Sequence, residues 1–193
     1  MIIGITGGTG SGKTTLLKLM QEHGVLILDC DAIYHDLLKT DTSLLCAIES
    51  RFPGTLEGGQ LNRKKLGQIV FSDPAALADL NKITHQAIHN QILQRLNSKP
   101  EHAAIDAVAL IESGMDQLCQ VTVAVIAPEE QRIGRLIERD NISEEYARNR
   151  INAQPTTQWY RQHCNYTLEN NGSKTDFQRK CLAFLQELGI MDA

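Results

Sequence analysis

Near its start the chain carries Gly7-Gly8-Thr9-Gly10-Ser11-Gly12-Lys13-Thr14, a glycine-rich run closed by a lysine and a hydroxyl residue. The preceding Ile2-Ile3-Gly4-Ile5-Thr6 is short, apolar and β-branched, as suits a buried strand. Thr15-Leu16-Leu17-Lys18-Leu19-Met20 then opens a helix-forming stretch that stops near Gly24. Strand, glycine turn and helix in that order fit the phosphate-binding pattern G-x-x-x-x-G-K-[ST]. A chain built around this unit is expected to be an α/β protein, a three-layer P-loop fold with a parallel sheet between helices.

The chemistry explains the residue types. A phosphate chain is wrapped by backbone N–H groups, and bulky side chains would hold the main chain away from it. The loop also delivers the phosphates to a helix N-terminus, where unpaired N–H groups and the helix dipole favour an anion. The expected nucleotide-binding residues are Gly8, Thr9, Gly10, Ser11, Gly12, Lys13, Thr14 and Thr15. Lys13 would reach the outer phosphates, and Thr14 would place its hydroxyl on a magnesium ion, Mg2+, that bridges them. ATP is the nucleoside triphosphate to consider first.

At 193 residues with 42% hydrophobic content, the chain can fill one sizeable α/β domain with an insertion, but hardly two independent ones. A net charge of −4 leaves no basic footprint for a dedicated nucleic-acid partner. The five cysteines are scattered and without C-x-x-C spacing, which argues against a disulfide framework or a zinc site. No apolar run approaches membrane-spanning length, so no membrane partner and a cytoplasmic location are expected.

Further along, Val25 to Leu28 reads as a second buried strand ending at Asp29-Cys30-Asp31. Helical patterns follow over Ile33 to Leu38, Leu44 to Phe52, Arg63 to Phe71 and Pro74 to Leu96, with turn signals at Pro53-Gly54 and Gly58-Gly59. Strand character returns from Ala103 to Ile111 and from Val121 to Ile126, and again at Tyr166 to Glu169. Helices are expected from Pro128, from Asn141 or Ser143 up to Pro155, and from Thr175 to Leu188. The single domain then divides into a core of about 1–34, 101–135 and 162–193, a helical acceptor-binding region at 35–98 and a lid at 138–160.

Asp29 and Asp31, two residues apart at a strand end, would share one face, and one of them could accept the proton of an acceptor hydroxyl. Both could instead cap the next helix. Asp106 ends an apolar run and could act on the magnesium ion through water, or serve as a turn residue. Arg132, Arg135 and Arg139 fall at helical spacing, with Arg150 beyond. Their forks suit a transferring phosphate, although each taken singly fits a solvated face paired with nearby glutamates. His85 lies in a helical stretch that by itself gives no reason to prefer catalysis, and Trp159 and Tyr160 could stack on a base or simply pack.

Together these residues resemble the dephospho-CoA kinase family over nearly the whole chain. The resemblance runs from Ile3 through Thr14 to Asp29-Cys30-Asp31, Leu61 to Phe71, Leu80 to His85, Glu112-Ser113-Gly114, Arg135 to Asp140, Arg150 with Gln154, and Asn170-Asn171-Gly172-Ser173. It implies ATP-dependent phosphorylation of the ribose 3′-hydroxyl of dephospho-CoA, the final step of coenzyme A synthesis, by a monomer or small homo-oligomer. By that resemblance Asp31, Lys13 and Arg139 are catalytic, and Asp31, His85 and Arg150 bind the acceptor. Asn170 and Gly172 lie near adenine, and Thr14 and Asp106 serve the metal. Gln86 and Val108 stand where the family usually has proline, and Arg132 where it usually has glutamine. A kinase of the same architecture with another acceptor, or a nucleotide-binding switch without transfer, are the alternative readings.

Overall fold

A computed structural model describes residues 1–191; the last two residues of the expected 162–193 core segment lie outside the described residues. In chain order the elements are β1 (Ile2–Thr6), α1 (Lys13–Glu22), β2 (Leu26–Asp29), α2 (Cys30–Thr40), α3 (Thr42–Arg51), β3 (Leu56–Glu57), β4 (Gln60–Leu61), α4 (Arg63–Val70), α5 (Pro74–Leu96), β5 (Ala103–Asp106), β6 (Val121–Ile126), α6 (Glu129–Asp140), α7 (Glu144–Asn152), α8 (Thr157–His163), β7 (Tyr166–Glu169) and α9 (Lys174–Glu187). They form two compact units, one made of residues 1–28 with the chain from Pro100 onward, the other spanning Asp29–Lys99.

The first unit is built on a five-stranded sheet in the order β2-β5-β1-β6-β7. β1 runs parallel to β5 and to β6, with Ile3 opposite Ala104 and Ile5 opposite Val123, and β6 runs parallel to β7. Parallel strands are covered on both faces, which is why their sequences are apolar throughout. On one face Ile3, Ile5, Val123 and Val125 pack with Leu16 and Met20 of α1 and with Phe177, Phe184 and Leu185 of α9. On the other, Ala124 and Ile126 meet Tyr160 of α8.

Two local expectations are corrected. The strand expected from Ala103 to Ile111 stops at Asp106, because its partner β1 turns away after Thr6 into the glycine loop. One last bond, from Ala107 N–H to the Ile5 carbonyl, closes the ladder, and Leu110 and Met115 then bury themselves in a turn segment. Asp29 and Asp31 do not share the face of an extended strand: Asp29 ends β2 and accepts the Ala32 N–H as N-cap, while Asp31 already lies in the first turn of α2. Of the two uses open to Trp159 and Tyr160, the short helix α8 shows packing: Tyr160 is buried and Trp159 stacks on His163 at 4.2 Å.

The second unit is helical apart from a two-stranded hairpin. Its helix starts use small polar caps: Asp41 accepts the Ser43 and Leu44 N–H groups, Asn62 that of Lys65 and Asp73 that of Ala75. Gly58 and Gly59, at φ 58° and 81°, form the two-residue turn that joins β3 to β4. α5 packs against α2, α3 and α4 and runs unbroken through Gln86, whose amide donates to Asn90 at 3.0 Å. Among the described residues no helix is long and apolar enough to cross a membrane.

Candidate active site

The glycine loop leaves β1 and enters α1 with Gly7, Gly10 and Gly12 at φ 130°, 75° and 106°. Gly12 is the N-cap of α1, and no side chain caps this helix or places an acid in its first turn. By contrast α2, α3, α4, α5, α7, α8 and α9 are each capped by a side-chain oxygen. The start of α1 therefore keeps its amide groups and its positive dipole end for an anion. Lys13 folds back so that Nζ donates to the Gly7 carbonyl at 2.8 Å, which holds the cation over the loop. Thr14 is exposed, Thr15 N–H returns to the Gly12 carbonyl, and Ser11 is buried.

Three side chains from other elements grip the outside of the loop through its carbonyls. Asn170, buried just past β7, donates its amide to the Ser11 carbonyl at 2.8 Å while its own N–H extends the ladder to Ile126. Arg135 donates to the Gly10 and Ser11 carbonyls at 3.0 and 3.3 Å, and Arg132 donates to Thr9 at 2.9 Å. Within the loop the Thr9 N–H donates to Gln154 and the Ser11 N–H returns to the Gly8 carbonyl. Arg132 is only 7% exposed, so it does not belong to a solvated face. Burial pulls its pKa below the usual arginine value, against the opposing pull of Tyr160 and Glu129, and burial pushes the Tyr160 hydroxyl up to about 12.

Sequence spacing alone did not separate Arg132 and Arg135 from Arg139, yet their partners differ. Arg139 and Arg150 both bind Asp140, at 2.7 and 2.6 Å, and this pair of guanidinium groups holds the Asp140 carboxyl down to about 2. Arg148, never singled out by the sequence, joins Glu129, Glu130 and Glu144. Gly172 is exposed, immediately before the capping box of Ser173 and Asp176 that starts α9. A cavity of about 180 Å³ opens beside this region, lined by Ile126, Ala127 and Pro128 at the end of β6, by Thr157, by the Arg161–Glu169 pair and by Asn171. Asp106 is half-buried at the end of β5, opposite Ile5.

Two candidates belong to the second unit. Asp31 is exposed in the first turn of α2. His85 is half-buried in α5, where burial lowers its pKa. On the same helix, Ile83, Gln86, Ala87 and Asn90 line an open groove of about 330 Å³ with Leu37, Leu44 and Ala47.

Comparison with known proteins decides which phosphate-binding family this is. The family described as dephospho-CoA kinase matches residues 1–176. The chain belongs to the dephospho-CoA kinase family. It is 33% identical to the dephospho-CoA kinase of Lactobacillus acidophilus over 186 residues, covering 93% of this chain and 92% of that one. Among solved structures, it is similar to the protein TT1252 from Thermus thermophilus, with a TM-score of 0.82, 33% identity and 97% coverage of both chains. The dephospho-CoA kinase of Campylobacter jejuni aligns with a TM-score of 0.72 at 25% identity and 98% coverage of both chains. As a family member the chain is a P-loop kinase of three-layer α/β architecture.

Proposed function

We propose that the protein transfers the γ-phosphoryl group of ATP to the ribose 3′-hydroxyl of dephospho-CoA, giving coenzyme A and ADP. The observation that carries the reading is the start of α1, uncapped and free of acidic residues, where the glycine loop and Lys13 present donors to a phosphate chain. The residues fit a triphosphate with its magnesium. A Cβ on Gly12 would lie 2.3 Å from the Asn170 amide nitrogen, so the turn into α1 packs against Asn170 with no room for a side chain. When bound, the magnesium ion supplies positive charge that neutralises the outer phosphates.

In this reading the backbone from Gly8 to Thr15 wraps the phosphates, and Thr14 and Asp106 hold the metal, Asp106 through water. Lys13 draws charge from the transferring group. Asp31 orients the 3′-hydroxyl and takes its proton as the new O–P bond forms and the bond to the ADP oxygen breaks. Arg139 and Arg150, seated on the lid segment 138–160, meet the transferred phosphate and the acceptor, while His85 lies beside dephospho-CoA in the helical region 35–98. Asn170 and Gly172 flank adenine. Closure of the lid excludes water that would otherwise hydrolyse the triphosphate.

The test is ATP turnover with Mg2+ in the presence and absence of dephospho-CoA, with the product identified by mass. Formation of coenzyme A is expected. ATP binding without acceptor-dependent turnover would point to a different acceptor or to a nucleotide-binding switch. Asp31→Asn should abolish turnover while leaving nucleotide affinity largely intact, and equal activity in that variant would sink the role of Asp31 as base.

A further inference from the structure

The backbone of Thr9 is held through both its N–H and its carbonyl by two side chains that also hold each other. The Thr9 N–H donates to Gln154 Oε1 at 2.9 Å, and the Thr9 carbonyl accepts from Arg132 Nε at 2.9 Å. Arg132 Nη2 closes the ring by donating to the same Gln154 Oε1 at 2.9 Å. Arg132 projects from the first turns of α6, and Gln154 lies between α7 and α8. Room for this contact is built into the loop: a Cβ on Gly8 would fall 2.2 Å from Arg132 Nη2, and one on Gly10 would fall 2.9 Å from the Arg132 carbonyl oxygen.

Arg132, like Arg135, differs from Arg139, Arg148, Arg150 and Arg161 in its partners. No carboxylate lies within ion-pair distance of it among the described residues, whereas Arg139, Arg148, Arg150 and Arg161 each have one. A buried guanidinium bound only to a backbone carbonyl and an amide is costly unless its fork geometry or its charge is used. Its two bonds use adjacent N–H groups of one rigid plane, which fixes the Thr9 carbonyl relative to Gln154. A lysine could not reproduce that fork.

We propose that Arg132 and Gln154 form a clasp on Thr9 that sets the shape of the phosphate loop and couples that shape to the seating of the segment between α7 and α8. Arg132 is thus a positioning residue for phosphoryl transfer. The proposal rests on the nucleotide-site reading above. Displacing Gln154 removes one partner from Arg132 and one from Thr9 at once, so movement of this segment is felt in the loop without any contact from the segment to the phosphates.

The experiment is hydrogen exchange on the intact protein with MgATP affinity and steady-state kinetics, for Arg132→Met, Arg132→Lys, Gln154→Met and the Arg132→Met/Gln154→Met pair. Loss of a hydrogen bond to a charged group corresponds to roughly 10-fold or more in affinity. Each single variant should weaken MgATP binding by about that factor, with faster exchange confined to Thr9 and its loop neighbours, and the double variant should be no worse than the worse single. Arg132→Lys should behave like Arg132→Met. Recovery of wild-type affinity by lysine would reduce the role to charge alone and overturn the clasp, as would effects that multiply in the double variant or exchange that rises across the whole unit. Lys13→Ala separates the two levels: if it leaves MgATP binding unchanged the site reading fails, whereas if it abolishes binding and the clasp variants do nothing only the clasp fails.

Discussion

Replacing Gly12 with alanine perturbs the loop in two ways that can be separated. The residue has φ 106° and ψ 19°, and forcing an L-residue into left-handed backbone costs about 1–2 kcal/mol. The new methyl would also lie 2.3 Å from the Asn170 amide nitrogen, so that amide must move. Moving it breaks the 2.8 Å bond to the Ser11 carbonyl; Arg135 still serves that carbonyl at 3.3 Å, but the buried Asn170 amide loses its acceptor, which costs about 1–3 kcal/mol. Gly12→Ala should therefore destabilise the protein by about 2–5 kcal/mol, and Asn170→Ala by about 0.5–1.5 kcal/mol through the same lost bond, the Ser11 carbonyl keeping Arg135. Because the bond can be lost only once, the double variant should fall short of the sum by about 1–3 kcal/mol. Urea unfolding without nucleotide measures all three. Additivity within about 0.5 kcal/mol would refute the claim that Asn170 braces the loop at Gly12.

Asp140, held down to about 2 by Arg139 first and then by Arg150, should stabilise the α6–α7 junction above about pH 4 and lose that contribution as pH falls toward 2. The stability difference between the protein and Asp140→Asn should accordingly shrink from pH 5 to pH 3; a difference independent of pH would contradict the pairing. Burial pushes the Cys119 and Cys181 thiols up to about 12 and Cys164 to about 11, whereas Cys46 is exposed. Alkylation of the native protein at pH 8 should thus be rapid at Cys46 alone, read by peptide mapping, and equal labelling of a second cysteine would count against the packing. Phe177→Ala, in the core between α9 and the sheet, should cost about 3–5 kcal/mol in urea unfolding. A cost under 1 kcal/mol would mean that the site collapses freely.

Regular elements were most legible where one local signal acted alone. Pro74 opens α5 and Leu96 ends it, the apolar run Val121–Ile126 is a strand throughout, and Tyr166–Glu169 is another, as their composition suggests. The glycine loop was readable because its spacing is a chemical requirement. Errors fell where pairing or capping decided the outcome. The apolar run after Asp106 has the residues of a strand and lacks a neighbouring strand to bond to. Asp29 and Asp31 were expected to share a strand face and do not, and Asp29 takes the capping role that the sequence left open, since both uses ask for a short carboxylate at a strand end.

The arginines mark the boundary between the two kinds of information. Spacing placed Arg132, Arg135 and Arg139 on one helix, and the motif at Gly7 to Thr14 called for an anion, both from residues close in sequence whose chemistry is local. Which arginine grips the loop, which pairs with Asp140, and that Gln154 and Asn170 reach Thr9 and Ser11 from 145 and 159 residues away were decided by the tertiary structure alone. Such bonds depend on which carbonyls the loop turns outward and which helix packs against them, and no periodicity within a short segment encodes a partner that distant in the chain.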